Sequence, residues 1–182
     1  SDVCSSDLTS FSLLEKLPLE KLIINFSTRS EEQESNFLSS IKFPQRVCSI
    51  AIQIHSTIYV WDDMIAAHRE KWHRPISMLY RNFLEQLKQL EKLKKLDLVL
   101  PSLFIEENIV QTDYLTIIVQ NFPKSLENLK FRVGFSVLEE NFDFGIIIHA
   151  CSKLHNLKNL TLVLGTVETG VDLTNFTLDG TL

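Results

Sequence analysis

Histidine, cysteine and paired carboxylates are the side chains of this 182-residue chain whose types could support catalysis or metal binding, and their spacing works against both. His149 and Cys151 stand two apart and would leave a helix in diverging directions. His68 and His73 diverge as well, so neither pair has the geometry of a ligand set. The acid pairs Asp62 with Asp63, Glu106 with Glu107 and Glu139 with Glu140 are immediate neighbours, and neighbours in sequence do not converge on one substrate. Placed at helix starts, they favour the helix dipole instead. No GxxxxGK, GxGxxG, GxSxG or HExxH spacing occurs, and five scattered glycines do not build a phosphate cradle. The expectation is a protein that is not an enzyme and that uses neither cofactor nor metal.

Aromatic spacing offers a different chemistry. Trp61, Ile65, His68 and Trp72 recur at helical intervals and form one stripe. A second stripe follows from Pro75 through Ile76, Leu79, Phe83, Leu87 and Leu90. The two stripes bury each other or cover the sheet, the more ordinary arrangement, or they leave Trp61 and Trp72 as an aromatic anchor for a partner.

The elements that would position these residues repeat along the chain. Five segments fit the pattern apolar-x-x-apolar-x-apolar-x-apolar: Leu19, Leu22, Ile24, Phe26; Val47, Ile50, Ile52, Ile54; Leu93, Leu96, Leu98, Leu100; Leu126, Leu129, Phe131, Val133; Leu157, Leu160, Leu162, Leu164. The last three members of each set alternate, so each segment reads as a short strand with one buried face. Between them lie helical patterns. Ser30 with Gln33 makes a capping box before Phe37, Leu38 and Ile41. Thr112 is placed to cap a helix through Leu115, Ile118 and Val119, and Asn141 or Asp143 to open one through Ile147, Ile148 and Cys151. Strand alternating with helix implies parallel pairing, because a parallel connection needs a crossover of a dozen or more residues. The interval between the second and third strands is longer than the others and marks an insertion at about 56–75.

LEKLKKLDLVL, SLENLKFRV and HNLKNLTLVLG carry the clearest resemblance, which is to the leucine-rich-repeat family in its long, helix-bearing, ribonuclease-inhibitor-like class. The resemblance spans roughly residues 17–165 and implies an α/β solenoid: a parallel sheet of about five strands with helices on the opposite side. One departure bears on its curvature. Where the family places Asn or Cys after the third apolar position, this chain has Ser27, His55, Pro101, Gly134 and Gly165. The resemblance also implies a surface for binding another macromolecule. Equivalent positions of a stacked repeat line up as columns on the outer sheet face. The first holds Lys21, Ser49, Lys95, Asn128 and Asn159; the second Ile23, Ala51, Asp97, Lys130 and Thr161; the third Asn25, Gln53, Val99, Arg132 and Val163. Four cations against Asp97 make this face +3 on a chain whose net charge is −5. The expected binding residues are therefore Lys21, Asn25, Gln53, Lys95, Asp97, Lys130, Arg132 and Thr161, with a protein of acidic surface as partner. A substrate receptor following a ubiquitin-ligase adaptor segment is an alternative of the same class. A nucleic-acid surface is disfavoured by the sequence pI of about 5.5.

Ser1 to Leu8, reading SDVCSSDL, look like a translated sequencing adapter, so the native sequence is expected to begin near Thr9 as a fragment of a longer protein comprising residues 9–182. Cys48 and Cys151 are then the remaining cysteines, too few and too distant for a disulfide framework. No apolar run approaches the roughly 18 residues that span a bilayer. No membrane association and a cytoplasmic or other intracellular location are the expectations.

Overall fold

A computed structural model of the chain describes residues 14–28, 31–56, 76–103, 111–135, 144–166 and 174–179. Strand and helix alternate through most of that length: β1 (Lys21–Thr28), α1 (Glu31–Ser40), β2 (Ser49–Ser56), α2 (Ile76–Lys88), β3 (Lys95–Leu103), α3 (Gln111–Gln120), β4 (Asn128–Phe135), α4 (Phe144–Ser152) and β5 (Asn159–Thr166). A further strand, β6 (Thr174–Asp179), follows. The class is α/β. One sheet contains all six strands in sequence order, and β1 to β5 pair in parallel. The sequence pattern anticipated these five and not β6, which pairs antiparallel with β5. Its segment, TNFTLD, has the polar Thr174 where the pattern places an apolar residue before Phe176 and Leu178.

β2, β3 and β4 bury all the residues that the alternation selects. Ile50, Ile52 and Ile54, Leu96, Leu98 and Leu100, and Leu129, Phe131 and Val133 are all buried in a single cluster with residues of the helices. The helices therefore lie on one face of the sheet, and the other face carries the intervening residues. α1 packs on α2 and α3 on α4. Phe83, Leu84 and Leu87 turn the α2 stripe inward, and Phe43 meets Phe83 edge to face with centroids 5.9 Å apart. Glu34 is the buried charged side chain among the described residues, and its Oε1 accepts the Tyr80 hydroxyl from α2. That bond satisfies part of a carboxylate that burial would otherwise penalise.

Thr112 falls inside α3 and is not its N-cap residue, since the helix already includes Gln111. The insertion at about 56–75 meets the described residues only at Ser56, where β2 ends. Trp61 and Trp72, with His68 and His73, lie outside the described residues, as do Ser30, the acid pairs at 62, 106 and 139, Asn141 and Asp143.

A second regularity runs beneath the strands. The N–H of Val47, Leu93, Leu126 and Leu157, the first apolar slot of four repeats, donates to the carbonyl three residues earlier, at Pro44, Leu90, Pro123 and Leu154. All four of those residues are buried. The carbonyl just before each of β1 to β4 then accepts two N–H groups from the next repeat: Glu20 from Cys48 and Ser49, Cys48 from Lys94 and Lys95, Lys94 from Glu127 and Asn128, Glu127 from Lys158 and Asn159. This repeated double acceptor sets one register for the five parallel strands, because sliding a strand by a residue would empty it and turn the apolar face outward.

Candidate partner-binding face

Register decides which outer residues meet. Lys21 pairs with Ser49, Ser49 with Lys95, Lys95 with Asn128 and Asn128 with Asn159, so the first column is continuous across five strands. The second runs Ile23, Ala51, Asp97, Lys130, Thr161 and the third Asn25, Gln53, Val99, Arg132, Val163. All eight residues expected at the site from sequence stand on this one face. Trp61 and Trp72 are outside what can be placed on it.

The columns differ in exposure. Lys21, Asn25, Lys95, Lys130 and Arg132 are exposed, and Gln53, Asp97 and Thr161 are half-buried. Val163 departs from the pattern: it is buried, at 4% exposure, although its position is an outer one. Ile23, on β1, is the opposite case, an apolar side chain left 58% exposed. An open groove crosses the strands between these residues, with Lys21, Ile23, Lys95, Asp97, Lys130 and Thr161 among its lining side chains.

Charge is unevenly compensated. Lys130 Nζ lies 3.7 Å from Asp97 Oδ2, across the pairing that the columns require. Lys21, Lys95 and Arg132 have no ion-pair partner among the described residues. Asp97 Oδ1 is enclosed without a hydrogen-bond donor. Asn159 Nδ2 donates to Asn128 Oδ1 at 2.6 Å, fixing two adjacent amides of the first column. Lys21 and Lys95 in the open groove, with Arg132 on the same face, can hold carboxylates or other anionic acceptors, and the neighbouring amides and hydroxyls can complete hydrogen bonds to them. No family profile, curated protein or solved structure matches the chain. The face must therefore be interpreted from its own chemistry.

One charged group beside the face escaped the column reading. Glu127, immediately before β4, receives Lys94 Nζ at 2.9 Å and Lys158 Nζ at 3.0 Å from the equivalent positions of the flanking repeats. Hydrogen bonds from Lys94 and then Lys158 hold the Glu127 carboxyl below the usual carboxylate range, and Glu127 in turn raises Lys94. Extending the columns one residue toward the strand starts would have found this triad. Polar bonds between repeats also occur at the residue before the first apolar slot. Ser125 Oγ donates to the carbonyls of Leu93 at 2.8 Å and Leu90 at 3.3 Å, and Asn156 Nδ2 to that of Lys124 at 2.9 Å.

Cys151 is buried, which pushes its thiol up to about 12 and leaves it protonated and inert. No group of three or more His, Cys, Asp and Glu suited to a metal occurs among the described residues, and no described helix is long and apolar enough to cross a membrane.

Proposed function

We propose that the chain is a leucine-rich-repeat-like solenoid working as a protein-interaction module, with the outer face of its parallel sheet as the binding surface and no catalytic role. The observation that carries this reading is the presence of Lys21, Lys95 and Arg132 on one face with no ion pair among the described residues. Internal stability gives no reason for such an arrangement. The same fold pairs Lys94 and Lys158 with Glu127 just beyond the face, so cations there are matched where they serve the structure. Unmatched cations on one face favour an acidic protein surface, and their main effect is on encounter rate and specificity. The solenoid reading draws further support from the sequential parallel strand order and from the hydrogen-bond register repeated between successive units.

The test is charge reversal. A Lys21→Glu, Lys95→Glu, Arg132→Glu variant should keep its far-ultraviolet circular dichroism. It should lose binding to a poly-glutamate probe measured by fluorescence anisotropy, and cells expressing it should lose the acidic proteins cross-linked to the wild type. Equal retention of probe and partners by the reversed variant would remove the face from consideration. Stronger binding of the wild type to a duplex nucleic acid than to poly-glutamate at matched salt would favour the nucleic-acid reading instead.

A further inference from the structure

The free edge of β1 carries an inference separate from the outer face. Among the described residues β1 ends the sheet, with β2 on one side and no strand on the other. Because the Glu20 carbonyl points to β2, alternation along the strand turns Leu22, Ile24 and Phe26 toward β2 as well. The N–H and C=O groups of Lys21, Ile23, Asn25 and Ser27 consequently face away from the sheet, a continuous row of donors and acceptors with no partner strand among the described residues. Edge strands usually guard such a row with proline, a bulge or several charges. β1 has neither proline nor bulge, and Lys21 is its one charge. Beneath this edge the core is incompletely closed. Leu22 and Ile24 keep 7% and 8% exposure where Leu98 and Ile52 keep 0%, and Leu14, Leu19 and Phe26 are only partly buried.

We infer that β1 pairs antiparallel with β1 of a second copy of this chain, about a two-fold axis through Ile24 normal to the sheet. The strand is complementary to itself in that register. Ile23 then stands opposite Asn25 and Lys21 opposite Ser27, and these are the residues whose free backbone groups face outward, so both rows of donors and acceptors are satisfied. On the helix side, Ile24 meets Ile24 and Leu22 meets Phe26, apolar against apolar. On the outer side no like charges oppose each other, and the two exposed Ile23 side chains lie diagonally within reach across the axis. An axis normal to the sheet keeps both helix layers on one side. The open ends of the two cores therefore face each other, and the closed symmetry limits assembly to a dimer. A strand shifted by one residue would lose these bonds and oppose apolar to polar positions, which makes the register a sharp feature to test.

Sedimentation of the whole chain at about 50 μM should give a particle of twice the 21.0 kDa chain mass. Ile23→Pro removes one outward N–H and places a ring against the approaching strand while leaving the β1 to β2 bonds intact, so it should yield a monomer of unchanged circular dichroism. A wild type that sediments as a monomer, or a folded Ile23→Pro variant that remains dimeric, would overturn the inference. Should that variant fail to fold, Ile24→Cys decides. Non-hydrogen-bonded antiparallel partners sit about 4.5 Å apart at Cα, so mild oxidation should join position 24 to position 24 of the second copy, identified by peptide mass spectrometry. A monomer with no such cross-link after oxidation, pointing to an edge left open or filled by another strand, would sink it equally.

Discussion

Glu127 shows at the scale of one residue how the repeat converts spacing into electrostatics. It has two lysine partners because residues 94, 127 and 158 occupy the same slot in successive units. Its folded-state carboxyl is held below its ordinary range by Lys94 and Lys158, so its contribution to stability is present at neutral pH and is lost as pH falls through the depressed value. Glu127→Gln should therefore lower the thermal midpoint slightly at pH 7, and the difference from wild type should narrow as pH falls through the depressed value, below which both carry a neutral side chain. A difference that stays constant across that range would mean the lysines act by packing and not by charge. Asp97 plays a smaller part: it neutralises Lys130, an exposed pair worth at most about 1 kcal/mol. In doing so it leaves Lys21, Lys95 and Arg132 as the cations that define the face.

Elements hold these residues in place through the buried half of each strand. Phe131, fully buried at the centre of β4, meets Phe122 edge to face with centroids 5.6 Å apart. Phe131→Ala should cost about 3–5 kcal/mol in urea unfolding, since it removes a large side chain from a site closed by neighbours on both sides. A loss below about 1 kcal/mol would show that the core can collapse around the gap. The five parallel strands could be recognised in the sequence because alternation and the leading apolar slot coincide in each. The turn that precedes them was not, although Pro44, Leu90, Pro123 and Leu154 also recur three residues before that slot. Their types differ, two prolines and two leucines, and burial shows them to be equivalent where residue identity does not. Helix starts were less legible still. Thr112 has the right chemistry for an N-cap, yet α3 begins before it, because Ser and Thr preferences fix a boundary only to within a residue or two.

At the scale of the whole molecule, charge is separated. The outer face counts +3 while the chain as a whole counts −5, so the acidic excess lies elsewhere. On the proposed function, an acidic partner is attracted to that face. Its association rate should fall about tenfold or more between roughly 20 and 500 mM salt, with a much smaller change in dissociation rate. Equal effects on both rates would argue that the bound complex, and not the approach, depends on the cations.

The sequence by itself determined that strands and helices alternate, which half of each strand is buried and which residues form the outer columns. Those properties depend on the period of apolar residues, and a period of two separates the faces of a strand wherever the strand sits. Only the tertiary structure decided what depends on neighbours from other repeats. Glu127 acquires Lys94 and Lys158, Ser125 reaches two carbonyls of the preceding unit, Val163 is buried on a nominally open face, β6 adds an antiparallel edge and β1 is left with a free one. Apart from the burial of Val163, each of these joins residues about thirty positions apart or ends a sheet, and local periodicity carries no information about which strand comes last or what lies beside it.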